Sequence, residues 1–229
     1  MMPTYNEAQS LASTVEGLIS EVDTVDILIV DDNSQDGTAL IADELSIRHP
    51  RVSVLHRIEK QGLGPAYVDG FRYAFSNDYH VVVEMDADGS HQANDLSRIL
   101  AAITSSDLVI GSRWIKGGSV RNWPVQRLFL SRFGNLYARL MLGTQILDMT
   151  SGFRAYQAGF LKELISSPVA SHGYSFQVEL AYRASRAGVV KEVPITFVER
   201  AEGRSKMTLG IVFEALVNIK LWGIKRIFS

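Results

Sequence analysis

The apolar run Tyr79-His80-Val81-Val82-Val83-Glu84-Met85 stops abruptly at Asp86-Ala87-Asp88-Gly89-Ser90-His91. A short stretch rich in β-branched residues predicts a strand buried on both faces, as in a parallel sheet covered by helices. Open sheets of that kind collect their chemistry at the carboxyl ends of the strands. Two carboxylates one residue apart repel each other there, and a divalent cation that favours hard oxygen ligands, magnesium or manganese, relieves the repulsion. Such an ion can in turn hold the phosphates of a nucleotide. A solvated turn is the plainer reading of the same residues, since Asp, Gly and Ser are good loop formers.

The pattern recurs, which favours the chemical reading. Asp26-Ile27-Leu28-Ile29-Val30 ends in Asp31-Asp32, and Leu108-Val109-Ile110 enters Gly111-Ser112-Arg113. Helical segments fall between the strands. One runs from Glu7 to Ser20 with Asn6 as its cap, one from Thr38 to His49 before Pro50, one from Gly62 to Phe75 and one over Asn94–Ile103. With a further strand at Val52–His56, the alternation predicts an α/β fold with a largely parallel sheet. Beyond it the spacing predicts helices over Gln126–Leu142, ended by Gly143, and Phe176–Arg186, capped by Gly188. A strand at Val193–Val198 and an apolar helix from Leu209 to Phe228 follow. Met1-Met2-Pro3 leaves no room for a strand ahead of the first helix. The sheet is therefore expected to lack its opening strand, or the chain to start late.

With 229 residues and 46% hydrophobic content, a single domain over 1–229 can bury a full core. The net charge of −2 gives no pull toward nucleic acid. The absence of cysteine excludes disulfides, thiolate metal sites and cysteine catalysis. No secretory signal is visible, and no apolar stretch reaches the ~18–20 residues that span a bilayer.

A second group is basic. Arg113, Arg127, Arg200, Arg204 and Lys206 flank apolar elements, and arginine forks match phosphate oxygens. The alternative is ordinary surface ion pairing. Glu179 lies among apolar residues at helical spacing and calls for a partner, a nearby arginine, unless it acts directly. None of the five histidines has metal-ligand spacing, and His91 reads as a support to the acidic loop. The terminal helix, over 206–229, is too apolar for an ordinary surface helix. It predicts contact with a membrane interface, a partner or this chain's own core.

Together these residues resemble the inverting family 2 glycosyltransferases of GT-A (Rossmann-like) fold, and within them the dolichyl- or polyprenyl-phosphate mannose synthases. Pro3-Thr4-Tyr5-Asn6-Glu7 is similar to the family's opening motif, where Pro3, Tyr5 and Glu7 would contact guanosine. Asp31-Asp32 within Val30–Thr38 resembles the next signature, also serving the nucleoside. Asp86-Ala87-Asp88 is similar to the metal and diphosphate motif, with Ser90 placed to complete the ion's ligands. Arg113, Asn122-Trp123-Pro124, Arg127 and Ser131 resemble the acceptor-phosphate region. Asp148 to Arg154 and Gly173 to Glu179 resemble later blocks of the family, and Phe197 to Lys206 its basic loop over the donor diphosphate.

The resemblance implies mannose transfer from GDP-mannose to a polyprenyl or dolichyl phosphate, dependent on Mg2+ or Mn2+. Asp88, Arg113, Arg200 and Lys206 would carry the chemistry. It also implies an enzyme peripheral to the cytoplasmic face of a membrane, or bound to a membrane-anchored partner, because the transmembrane helices of many relatives are not seen. Gly89 and Gln92-Ala93 depart from the larger residue and prolines common around the acidic motif. A UDP-sugar transferase to a lipid carrier and a non-catalytic subunit of the same fold remain the competing expectations.

Overall fold

The computed structural model describes residues 1–167, 169, 174–199 and 209–227. The elements in chain order are β1 (Met2–Thr4), α1 (Leu11–Glu21), β2 (Ile27–Asp31), α2 (Thr38–Arg48), β3 (Val52–His56) and α3 (Leu63–Ser76). Then come β4 (Val81–Glu84), α4 (Asn94–Ile103), β5 (Leu108–Ser112), β6 (Ser119–Arg121) and α5 (Val125–Leu142). The last are β7 (Arg154–Gln157), α6 (Ala158–Leu164), α7 (Tyr174–Ala187), β8 (Val190–Pro194), β9 (Thr196–Val198) and α8 (Leu209–Ile227).

Strands β1, β2 and β3 form a parallel sheet in the order β1-β2-β3. A second sheet runs β4-β7-β5-β8, with β7 antiparallel to both its neighbours and β5 parallel to β8. Met1 joins the two sheets edge to edge. Its amine donates to the Val83 carbonyl at 2.9 Å, and its carbonyl accepts from the Met85 amide at 3.1 Å. A small parallel pair, β6 and β9, lies beside them.

Alternation along the strands feeds two apolar layers. Ile27 and Ile29 join α1, α2 and α4 on one face, whereas Leu28 and Val30 pack on Ala66 of α3 on the other. Around Tyr67, Phe71, Leu180 and Ala181 the second layer draws in α3, α5, α6 and α7. The apolar faces of α1, α2, α3 and α4 are thus spent on the sheet, as the alternating pattern requires.

Two expectations need correction. The opening strand exists: Met2–Thr4 pairs with Ile29–Asp31, and Met2 and Thr4 both point into the core. Pro3 lacks only its own N–H, which a three-residue strand tolerates near its start. The first helix begins at Leu11 after Ser10, not at Glu7. Asn6 takes a positive φ of 55° and is not a cap. It accepts from the Gln35 amide at 2.9 Å while its own amide donates to Ser34, tying the turn to the loop after β2.

Candidate active site

Tyr5–Glu7, Asp31-Asp32, Asp86–Asp88 and Arg113 lie at or just beyond the carboxyl ends of β1, β2, β4 and β5. At the end of β2, Asp31 is buried and accepts from the Ser34 amide at 3.2 Å and the Thr4 hydroxyl at 3.4 Å. Asp32 is held by an ion pair with Arg57 and accepts from the amides of Gln61, 3.1 Å, and Gly62, 2.8 Å. Its two oxygens therefore anchor the turn that opens α3. Next door, Pro3 to Glu7 docks on the same loop: the Glu7 amide donates to Thr38 and the Ala8 amide to Asp36. Burial is the largest single influence on the Asp36 carboxyl and raises it, but bonds from the Thr38 hydroxyl and amide and the Ala8 amide together outweigh it and hold the carboxyl below its ordinary range. Lys60 lies 3.7 Å over the Tyr5 ring. Aromatic face, cation and carboxylates together make a wall suited to a nucleoside.

At the end of β4, Asp86 is about two-fifths exposed, and its Oδ2 lies 3.2 Å from His91 Nε2. Asp88 accepts from the Ser90 amide at 3.0 Å across a turn whose Gly89 takes φ +75°. The Ala87 carbonyl accepts from Thr14 on α1, which fixes the backbone between the two carboxylates. Gly152 approaches from the far side, where an added Cβ would stand 3.3 Å from Asp86 Oδ1. A side chain there would crowd the carboxylate, and its absence leaves room for a ligand. Ser90 is buried, and its carbonyl accepts from Val198 of β9. His91 is also buried, 5.0 Å from Phe153 and 5.2 Å from Phe197, which agrees with a supporting part.

No group of three or more acidic, His or Cys side chains that could hold an ion stands among the described residues. Asp86 and Asp88 offer hard oxygens on one open turn, the donor set that suits Mg2+ or Mn2+ when nucleotide phosphates and water complete the shell. The residues fit such an ion in partnership with a diphosphate, and not as a closed protein cage.

The basic residues are less open. Arg113, at the end of β5, spends its fork on Asp148 at 2.7 and 2.6 Å and donates to Thr150 at 2.9 Å. Its guanidinium is sandwiched among Trp114, Trp123 and Phe197 at 5.4–5.5 Å. Arg127 on α5 pairs with Glu199 and lies 4.2 Å over Trp123. Ser131 follows one turn later, with its carbonyl bonded to Asn135. Arg200, Arg204 and Lys206 lie outside the described residues. Glu179 is paired with Arg183, the structural alternative weighed for it.

Sequence reasoning missed the support behind this edge. Arg154, fully buried on β7, donates to the carbonyls of Ser151, Met149 and Gln177 at 2.7–2.8 Å. It stands opposite Glu84 in register, and burial pushes the Glu84 carboxyl up to about 7. Glu192 of β8 accepts from the amides of Leu147 and Asp148, 2.8 and 2.9 Å, and burial raises its carboxyl as well. Both hold the 147–152 loop, which carries Asp148 to Arg113 and Gly152 to Asp86. Their only sequence signal is charge inside strand-like segments.

Residues 1–165 match the family model described as glycosyl transferase family 2. The chain is a family 2 glycosyltransferase. It is 50% identical over 225 residues to a protein named undecaprenyl-phosphate mannosyltransferase from Micrococcus luteus, covering 98% of this chain and 93% of that one. It is 48% identical to a polyprenol monophosphomannose synthase from Mycolicibacterium smegmatis, covering 98% and 86%. Among solved structures, this glycosyltransferase resembles a Pyrobaculum calidifontis mannosyltransferase in complex with GDP-Man and Mn2+. The TM-score is 0.61 at 20% identity, over 89% of this chain and 56% of that one. A Mycobacterium tuberculosis glucosyl-3-phosphoglycerate synthase solved with Mn2+, UDP-glucose and phosphoglyceric acid gives a TM-score of 0.68 at 20% identity, over 98% and 78%. These neighbours share the GT-A fold expected from the sequence.

Proposed function

We propose that this glycosyltransferase moves mannose from GDP-mannose to a polyprenyl phosphate with inversion at the anomeric carbon. Near-50% identity over almost the whole chain to two lipid-phosphate mannosyltransferases carries the reading. The nucleoside would lie against Tyr5, Glu7 and Asp31, with Pro3 shaping the turn and Asp32 fixing the loop beside it. Asp86 and Asp88 would hold Mg2+ or Mn2+, with Ala87 and Ser90 setting the turn. The ion supplies charge neutralisation for the departing diphosphate.

A phosphate oxygen of the acceptor attacks C1 of mannose as the bond from C1 to the GDP oxygen breaks. The acceptor is anionic near neutral pH, so it needs orientation and no base to deprotonate it. Arg127 and Ser131 would orient that phosphate, with Arg113 beside them, and Arg200 and Lys206 would add positive charge at the diphosphate. Setting two polyanions together is the main electrostatic obstacle, and preorganised cations are the remedy. The enzyme would work peripherally at the cytoplasmic face of a membrane, alone or on an anchored partner.

Transfer of radiolabelled mannose from GDP-mannose to a short polyprenyl phosphate, with and without Mn2+ or Mg2+, tests this. Metal-dependent lipid product is the expected result. Product from UDP-glucose instead would overturn the donor assignment. No product, with no shift in melting temperature on adding GDP, would point to a non-catalytic subunit.

A further inference from the structure

Arginine and tryptophan alternate in a row of contacts that runs from the end of β5 to the start of α5. In order the row is Arg132, Trp114, Arg113, Trp123 and Arg127. Arg132 lies 5.1 Å over the Trp114 ring, Arg113 is 5.4 Å from both indoles, and Arg127 lies 4.2 Å over Trp123. Local sequence sets Trp123 in its place. Asn122 takes φ 63°, a left-handed turn that Asn tolerates, and Pro124 disfavours a helical Trp123 before it opens α5. The register of β6 on β9 sets Val120 opposite Phe197, whose ring meets Trp123 at 5.4 Å.

The row is rich in donors and short of acceptors. Nε1 of Trp114, Nε1 of Trp123 and Nε of Arg127 are all buried, and none has a partner among the described residues. Burying an N–H without an acceptor is costly. Three such donors on adjoining side chains call for a ligand dense in acceptor oxygens. Charge points the same way: Asp148 faces Arg113 and Glu199 faces Arg127, but no carboxylate pairs with Arg132 among the described residues. A phosphate monoester brings both the oxygens and the negative charge.

The contacts also separate this place from the acidic turn. His91, 3.2 Å from Asp86, meets Phe197 at 5.2 Å, and Phe197 in turn meets Trp123. Two rings thus lie in the path of contacts from Asp86 to Trp123. That suits an acceptor phosphate better than a diphosphate held on an ion at Asp86.

We propose that Trp123 is a binding residue for the acceptor, its indole N–H donating to the polyprenyl phosphate while its ring holds Arg113 and Arg127 apart beside the same anion. Neighbouring guanidiniums repel each other, and an aromatic face attracts both. The indole N–H donates without carrying charge, so it adds recognition of an oxyanion and no further repulsion among the cations. The inference rests on phosphate as the acceptor group, proposed above, and stands without the choice of donor.

Trp123→Phe keeps a ring and removes the N–H. It should raise the KM for polyprenyl phosphate about tenfold, the cost of one bond to a charged acceptor. Both kcat and the KM for GDP-mannose should stay within about twofold of the wild type. Trp123→His, which restores a ring N–H, should recover part of the loss, and melting curves of both variants check folding. The wild type gives a second reading, because its three tryptophans yield three indole N–H signals in an isotope-labelled sample. Trp114→Phe and Trp222→Phe assign the Trp123 signal by elimination. Geranyl phosphate, a short polyprenyl phosphate, should move that signal, and GDP with Mg2+ should move it less. An unmoved signal, or one that GDP moves more, overturns the proposal. So does a folded Trp123→Phe with the acceptor KM of the wild type, or an equal rise in both KM values, which marks a scaffold. A Trp123 signal that geranyl phosphate moves in an enzyme transferring no mannose would support the phosphate contact while removing the mannosyl-transfer reading.

Discussion

The two halves of the sheet edge solve the same problem, charge at a strand end, in opposite ways. In the half built by β1, β2 and β3, buried carboxylates are satisfied largely by backbone amides of loops that close nearby: Ser34 on Asp31, Gln61 and Gly62 on Asp32. In the half built by β5, β7 and β8 the charged groups are guanidiniums, Arg113 and Arg154 buried and Arg127 half-buried, and they are satisfied by other side chains and by carbonyls. Asp148 serves Arg113, Glu199 serves Arg127, and carbonyls as distant as Gln177 serve Arg154. Amide donors belong to the fold and cannot leave. A carboxylate partner is a separate side chain that substitution or a competing anion can remove. The first half is thus built as a fixed receptor, and the second as a set of cations already matched with anions.

The largest expected effect breaks the second arrangement. Asp148→Ala removes the carboxylate that faces the Arg113 guanidinium in a site where Arg113 is 7% exposed. Leaving one partner of a buried pair uncompensated costs about 3–5 kcal/mol. For a chain of this size that lowers the melting temperature by roughly 2–4 °C per kcal/mol, readable by calorimetry. A loss under about 1 kcal/mol would show that the pair is effectively solvated.

Asp88→Ala tests the motif between the halves. Loss of a preorganised charge-stabilising group should lower turnover by about two to three orders of magnitude. The melting temperature of the variant in the absence of nucleotide, read alongside, separates lost chemistry from lost folding. Turnover near that of the wild type would remove Asp88 from the metal site.

Glu192 offers a smaller, pH-dependent effect. Burial raises its carboxyl above the ordinary 4.5. Between 4.5 and that raised value the folded chain binds more protons than the unfolded one, so this group's contribution to stability falls as pH rises through the window. Glu192→Gln should erase that component, and the difference in melting temperature between variant and wild type should change in the variant's favour with rising pH. A difference that does not vary with pH would place Glu192 in a more solvated setting.

The sequence made the first half legible and the second only partly so. Local signals sufficed for β2, β3, β4 and the helices between them, because strand, loop and helix follow one another within about 30 residues and the charged ends mark the edge. β1 escaped because three residues carry no period and Pro3 argued against a strand, although the pairing with Ile29–Asp31 overrides that. β7 escaped because Arg-Ala-Tyr-Gln has no β-branched residue. Its place between β4 and β5 is set by contacts that no local pattern reports. Arg113 and Arg127 were recognisable as basic residues near strand or helix ends. That each already carries a carboxylate depended on Asp148 and Glu199, 35 and 72 residues away. The apolar period of α5 was also visible, but which side of it would face outward was decided only by packing.

The smallest expected effect sharpens the comparison most. Arg127 and Glu199 are each about one-fifth to one-quarter exposed, so their pair is expected to contribute only ~0.2–1 kcal/mol to stability. The pair matters instead as a competition: an acceptor phosphate that uses Arg127 has to share or displace the Glu199 carboxylate. Arg127→Ala should therefore raise the KM for polyprenyl phosphate by about tenfold, the cost of one charge-assisted bond, while the KM for GDP-mannose stays near that of the wild type. Glu199→Gln should move the acceptor KM the other way by a few-fold, since the neutral amide competes less well for the guanidinium. Opposite shifts from the two partners of one ion pair are not what a purely structural strut gives, because breaking a strut from either side loosens the same contact. If both variants raise the KM of donor and acceptor equally, Arg127 belongs to the scaffold, and both halves of the edge are fixed receptors after all.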